Sequence, residues 1–377
     1  MIWRSALILT GGIVLVAHGR TAQTPAAATN DAKIAALIEP IRTKHHLPAL
    51  GGAIVTSAGL QTLAVTGVRK AGTDVAAGAD DLWHLGSDTK AMTAVVIAKL
   101  VEQGKLTWDT TIEAALPKVV ANAKPEFAGI TLQQLLAHRA GLVANLDWQK
   151  ISRTPGSPRE QRIEALRIAA STKLDSTPGT KYEYSNLGYV IAATMAETVA
   201  DRAWEDMIRD VVFKPLGITS AGFGGLGTPG KIDQPWPHLD NGKPTPTNGP
   251  DVDNPPVMGP AGTVHMSLAD WSKFIADQLR GLRGQTGGLL KPATYTQMHT
   301  APFGGDYFCG WIGVGRPWGG GTVYSHAGSN TTNYAVAWVA PKKDFAFLAV
   351  TNQGGNAAAT GTDEVAAALI GDAGLLK

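Results

Sequence analysis

The placement of its strand-like segments is what most constrains how this chain can fold. Two apolar runs of β character, LGGAIVTSA and LQTLAVTGVRK, meet at a tight turn near Ser57–Gly59. Four more, YFCGWIGVGR, TVYSHAG, YAVAWVA and FAFLAVTN, follow one another near the other end, separated only by turns. From about Leu106 to Ala221 helical patterns take over, among them TLQQLLAH, SPREQRIEALRIAAST and SNLGYVIAATMAETVAD. Strands at both ends with helices between them imply one sheet assembled from the two termini. The fold class is therefore α/β (α+β): an antiparallel sheet built from both termini and flanked by helices, with an inserted, mostly helical domain. Residues 30–105 and 260–377 are expected to form the sheet domain, and 106–259 the helical insert with a long loop.

Smaller features fill in this outline. DAKIAALIEPIRTKHH places Ile34, Leu37, Ile38 and Ile41 at helical spacing, and SDTKAMTAVVIAKLVEQGK reads as a helix buried nearly all round, closed by Gly104. GTDEVAAALIGD reads as a closing helix. The stretch Gly222–Pro260 is crowded with Gly, Pro, Asn and Asp, and an irregular loop of that length usually serves a site. At the start, Arg4 precedes ALILTGGIVLVA and the small, polar HGRTAQTPAAATN, the pattern of a secretory signal over residues 1–29. That apolar run is short for a membrane span. The expected location is periplasmic or secreted, without stable membrane insertion once the signal is removed. A single cysteine, Cys309, excludes an internal disulfide and is expected to pack inside a strand. A net charge of +2 with scattered basic residues gives no reason to expect a nucleic-acid partner.

Several chemistries are absent. No G-x-S-x-G elbow, H-E-x-x-H or paired-cysteine zinc pattern, or phosphate-binding loop occurs. GFGGLG at Gly222–Gly227 matches a dinucleotide fingerprint in letters only. It follows no strand, and Thr228-Pro229-Gly230 stands where a helix should begin. No metal or cofactor is expected.

What remains is Ser87-x-x-Lys90, which occurs once and opens the most apolar internal helix. At this spacing both side chains share one helical face, about 5–6 Å apart at Cβ. A buried lysine loses the solvation that favours its charge and becomes an amine able to take the serine proton. On its own the pair reads more readily as a serine-capped helix with its lysine in solvent, because surface helices often begin this way. Two further elements shift the balance. Tyr184-Ser185-Asn186 is the only Y-x-N and sits between a turn and a helix, where Tyr184 can pass protons and Asn186 can hold a carbonyl or amide. In YSHAGSN, His326 and Gly328 share one face of a strand, and Ser329 follows with a backbone N–H for an oxyanion.

Together, and in that order, these three elements resemble the class C β-lactamase-like serine hydrolases. That superfamily holds DD-peptidases, class C β-lactamases, carboxylesterases and D-amino-acid-specific peptidases. WHLGSDTKAMTA, LVEQGKLTWD, ITLQQLLAHRAGL, PGTKYEYSNLGY and GPAGTVHMSLADWSKF extend the likeness over nearly the entire mature chain. The resemblance implies that Ser87 is acylated and that Lys90 or Tyr184 is the base. It also implies that Tyr184 protonates the leaving group, that Asn186 orients substrate, and that the N–H groups of Ser87 and Ser329 stabilise the oxyanion.

One departure is evident. The third element of class C β-lactamases is Lys-Thr-Gly, whereas this chain has His326-Ala327-Gly328. Histidine there resembles the esterases, D-aminopeptidases and some DD-peptidases of the superfamily, and without a fixed cation efficient penicillin hydrolysis is not expected. Arg316, on the preceding strand, is the candidate for a replacement charge. The expected substrate is a small ester, amide or peptide, with a pocket shaped by the Gly222–Pro260 loop and by Trp148, Trp236 and Trp311. β-Lactamase or DD-carboxypeptidase activity and a silent ligand-sensing protein are the competing readings.

Overall fold

In the computed structural model, which describes residues 30–376, strands from the two ends of the chain join in one antiparallel sheet. Strands β1 (Ala49–Thr56) and β2 (Gly59–Gly67) form the N-terminal hairpin, and β3 (Leu82–His84) leads into the reactive turn. After the helical region come the short β4 (Gly222–Phe223) and β5 (Val264–Ser267). The C-terminal set is β6 (Tyr307–Phe308), β7 (Trp311–Arg316), β8 (Gly321–Ser329), β9 (Tyr334–Ala340) and β10 (Phe345–Thr351). The large sheet has seven strands in the order β2-β1-β10-β9-β8-β7-β6, so β1 pairs with β10 across the whole chain. The export pattern at residues 1–29 lies outside the described residues. Among the described residues no helix is long and apolar enough to cross a membrane.

One face of this sheet packs against the first and last helices. Helix α1 (Ala32–Lys44) sends Ile34 and Ile38 inward, and the C-terminal helix Gly355–Asp372 adds Val365 and Leu369 over Leu50, Ile54 and Phe347. The other face packs against the amphipathic helix Leu268–Leu282, and helix α2 (Thr89–Glu102) and the helix Asn186–Ala200, packed on each other, belong to the same core. Most of α2 is buried, as its unbroken apolar sequence requires, and Lys90 is buried with it.

Two features differ from the sequence reading. The run expected as one strand over 307–316 is a hairpin. Cys309 and Gly310 take φ of 51° and 83°, the double positive φ of a tight two-residue turn, and reverse the chain between β6 and β7. Cys309 is thus buried in a turn rather than within a strand. A second, three-stranded sheet, β3-β5-β4, also forms, too short in each strand to leave a sequence pattern. From Gly224 to Pro255 the chain is irregular, as its composition predicts.

Candidate active site

The site begins where β3 ends. Gly86–Asp88 form a 3₁₀ turn that carries Ser87 and leads into α2, so the helix proper opens at Thr89 rather than at Ser87. Gly86 has φ of +49°, and a β-carbon there would lie 2.3 Å from the Ser329 nitrogen. A β-carbon on Gly328 would lie 1.9 Å from the Leu85 carbonyl oxygen and 2.7 Å from the Ser87 nitrogen. Only glycine fits at either position. The close approach brings the backbone N–H groups of Ser87 and Ser329 onto one small patch.

Lys90 is completely buried one turn below Ser87. Its Nζ lies 2.7 Å from Asn186 Oδ1, 2.6 Å from the Ala261 carbonyl oxygen and 3.0 Å from Ser87 Oγ. Desolvation pulls its pKa well down, and the neighbouring Asp88 opposes this only in part. Asp88 is itself buried, and loss of water pushes its carboxyl well up. Burial therefore disfavours the charged form of both groups. A neutral amine has two hydrogens and one lone pair. In that form Asn186 and Ala261 accept the two hydrogens and the lone pair faces the Ser87 hydroxyl; as an ammonium, Lys90 donates to all three oxygens.

Tyr184 completes the group. Its O–H donates to Ser87 Oγ at 2.8 Å, and Lys90 Nζ lies 4.9 Å from the ring centre. Burial of the hydroxyl end pushes the phenol up, although the side chain as a whole is 36% exposed. The Tyr184-Ser185-Asn186 loop is fixed from within. Ser185 Oγ accepts from the Gly188 N–H at 3.1 Å, capping the helix, and donates to the Val143 carbonyl at 2.8 Å. The Asn186 N–H donates to the Ala144 carbonyl at 2.9 Å. Helix cap and site are thus the same structure.

Of the residues singled out in the sequence, Ser87, Lys90, Tyr184, Asn186, Gly328 and Ser329 converge here. His326 lies just behind them, fully enclosed. Its Nε2 is 3.2 Å from the Tyr307 hydroxyl and its Nδ1 is 3.6 Å from Asp88 Oδ1. Burial pulls its pKa down to about 3, so it presents no cation to a substrate. Arg316 is not brought to the site. It stacks on Trp338 and lines a shallow pocket with Trp318, Asp363 and Ile370, on the sheet face that carries the C-terminal helix. Trp338 pairs with Ser325, whose side chain points opposite to that of His326. The replacement-charge expectation for Arg316 therefore fails on strand alternation.

Other contributors carried no motif. Asn145 Oδ1 accepts from both Asn186 Nδ2 and Trp148 Nε1, at 2.9 Å each, which ties Trp148 to the site. Trp148, Trp236 and Trp311 are all buried; Trp236 donates to the Thr245 carbonyl and Trp311 stacks on His299. His138 accepts the Ser185 N–H at its Nδ1, and its ring packs 4.2 Å from Tyr184 and 4.4 Å from Tyr307, centre to centre. Desolvation pulls the pKa of His138 well down. Among the described residues no cluster of His, Cys, Asp or Glu is arranged to hold a metal.

Known proteins resemble this chain in sequence and fold. A family model described as Beta-lactamase matches residues 34–372. Penicillin-binding protein 4 of Amycolatopsis lactamdurans is 26% identical over 343 residues, covering 84% of this chain and 84% of that protein. The octameric penicillin-binding protein homologue from Pyrococcus abyssi shares the fold with a TM-score of 0.72 at 21% identity, over 90% of this chain and 77% of that one. A D-stereospecific amidohydrolase from Streptomyces sp. does so with a TM-score of 0.69 at 20% identity, over 89% and 98%. With a matched model over nearly all its described residues and a buried lysine and a tyrosine on one serine oxygen, this chain belongs to the Beta-lactamase family of serine hydrolases.

Proposed function

We propose that this chain is an exported hydrolase that forms an acyl-enzyme on Ser87 and cleaves small esters or amides, as a carboxylesterase or a peptidase of small or D-amino-acid peptides. The observation that carries this is the fully buried Lys90, whose charge desolvation disfavours, with Nζ 3.0 Å from Ser87 Oγ and uncharged acceptors as its other two partners. Lys90 takes the Ser87 proton as Oγ attacks the carbonyl carbon. The N–H groups of Ser87 and Ser329 receive the negative charge that develops on the carbonyl oxygen. Tyr184, a neutral phenol, gives its proton to the leaving group and is reprotonated from the Lys90 ammonium. Water then enters with its proton taken along the same route in reverse, and Ser87 is released. We assign the acylation base to Lys90, which is buried one turn below Ser87 with its Nζ 3.0 Å from Oγ, and the proton donor to Tyr184, whose phenol burial pushes up. The exposed Asn145, hydrogen-bonded to Asn186, is placed to hold the carbonyl or amide of the acyl portion.

Two observations favour this over the alternatives. A neutral His326 offers nothing to the carboxylate of a penicillin or of a C-terminal D-alanine, so β-lactamase and DD-carboxypeptidase activities are secondary. The likeness to a D-stereospecific amidohydrolase supports an amide or peptide of D configuration among the candidate substrates. A silent sensor has no use for an amine held uncharged beside a serine. The secretory pattern of residues 1–29 supports export. The test is a side-by-side assay of short p-nitrophenyl esters, a D-amino-acid amide, a D-alanyl dipeptide and nitrocefin. Turnover of an ester or D-amide, with nitrocefin far slower, is expected; nitrocefin as the best substrate, or no turnover and no adduct with a fluorophosphonate, contradicts the reading.

A further inference from the structure

The long loop between β4 and β5 sends one carboxylate into the protein interior. The Asp253 side chain is fully buried, as is its partner His84. Asp253 Oδ2 lies 2.8 Å from His84 Nε2, and Asp253 Oδ1 accepts from Asn330 Nδ2 at 2.9 Å. The two partners flank the two halves of the patch on which the Ser87 and Ser329 N–H groups converge. His84 precedes the Gly86–Asp88 turn, and its Nδ1 accepts the Gly86 N–H at 3.1 Å. That bond fixes the tautomer: Nδ1 bears no hydrogen, so Nε2–H donates to Asp253. Asn330 directly follows Ser329. Its Oδ1 accepts from the Thr332 N–H at 3.3 Å and from Asn333 Nδ2 at 3.1 Å, which shapes the turn into β9.

We infer that Asp253 is a positioning residue that straps the two backbone donors of the oxyanion site together, through His84 on the Ser87 side and Asn330 on the Ser329 side. The loop is thus part of the machinery for the transition state as well as a wall around the substrate. The inference rests on the hydrolase reading above. The physical demand is plain: the donors come from segments far apart in sequence, one in a short 3₁₀ turn and the other at the last paired residue of a strand, and their relative placement needs a link between the two segments. Gly86 has left-handed backbone and Gly328–Ser329 end a strand, so a small relative shift spoils donor geometry. A displacement of about 1 Å at a reacting centre costs about a hundredfold in rate. Both atoms of the Asp253 carboxylate accept hydrogen bonds, so an amide in its place sets an NH₂ against a donor. Asn330 cannot turn over to compensate, because its oxygen already serves Thr332 and Asn333.

The test uses the full chain, with kcat and KM for a p-nitrophenyl ester, the rate of Ser87 phosphonylation and the melting temperature measured on each variant. Asp253→Asn is expected to lower kcat and the phosphonylation rate by roughly tenfold to a hundredfold, with KM within about threefold. Asn330→Asp added to Asp253→Asn restores one donor facing one acceptor with the roles exchanged, and is expected to recover about tenfold of that loss. Asn330→Ala keeps the Asp253–His84 bond and is expected to show a smaller fall in kcat. A kcat for Asp253→Asn within twofold of wild type, or a double variant no faster than the single one, overturns the inference. Should Asp253→Asn not fold, the double variant decides alone: activity near wild type supports the strap, and a folded but equally slow protein contradicts it. A wild-type protein that neither turns over ester nor takes a phosphonyl group defeats the hydrolase reading instead.

Discussion

Among the described residues one lysine, Lys90, and one arginine, Arg162, are completely buried, and the molecule treats them in opposite ways. Arg162, in the helix Pro158–Ser171, meets Glu197 at 2.6 Å and Glu205 at 2.9 Å, and also donates to the Pro256 carbonyl. Burial pulls its pKa down, but the two carboxylates outweigh that and raise it. Lys90 has uncharged acceptors at Asn186 and Ala261, and the one carboxyl beside it, Asp88, is desolvated as well. Burial therefore wins at Lys90 and loses at Arg162. Equal depth gives a structural cation in one place and a base in the other, and the difference lies in whether ionised, hydrogen-bonded carboxylates are supplied.

Exchanging both residues for methionine separates these roles most sharply. Lys90→Met is expected to cut kcat/KM by about three to four orders of magnitude, the scale of losing a general base, with a modest change in melting temperature. Arg162→Met leaves Glu197 and Glu205 buried together without a cation. It is expected to cost about 3–5 kcal/mol in denaturant unfolding while the kcat of the folded protein stays within a few-fold. If both variants lose stability equally, Lys90 is a second structural cation and the contrast is false. Tyr184→Phe removes the proton donor but leaves the amine, and is expected to lower kcat by about two to three orders of magnitude, less than the loss of Lys90.

The contrast has a pH signature too. A lysine pulled down on folding binds fewer protons in the native than in the unfolded chain, from its depressed pKa up to its ordinary 10.5. Its contribution to stability rises with pH across that window, by up to about 1.4 kcal/mol per pH unit. The unfolding free energy of wild type, relative to Lys90→Met, is therefore expected to grow as pH is raised from neutral; a flat difference means the amine is charged. Arg162→Met shows no such trend, since Arg162 stays protonated in both states. The smallest effect belongs to His326. With its pKa at about 3, it does not titrate on the acid limb of kcat/KM. His326→Gln is expected to leave the midpoint of that limb in place for a neutral ester, and a moved midpoint assigns the limb to the histidine.

How much of this was legible in the sequence follows from how local each part is. Ser87 and Lys90 lie on one turn, and the unbroken apolar run after them announces the burial that neutralises the lysine. Tyr184 and Asn186 flank a serine that caps a helix, so their projection follows from the turn before and the helix after. The joining of the two terminal strand sets was likewise readable, because unpaired strands had nothing else to pair with. Asn145, His138, Ala261 and Asp253 were not readable. Each acts across a long separation through a single atom, and none stands in a pattern that distinguishes it from ordinary loop residues. Arg316 was misplaced because strand register, not sequence proximity, decides which face a side chain takes. On β7 it falls on the face of Trp338, away from His326.

The account stands or falls on the ionisation of Lys90, and NMR reads it directly. With the lysine side chains labelled at Cε and Nζ, the Lys90 resonance is assigned by its loss in Lys90→Met and followed against pH. A free-amine shift already present near neutral pH, with no transition close to 10.5, is the expected result. An ammonium shift that persists until it titrates with the surface lysines contradicts the account, however closely Ser87 and Lys90 are placed.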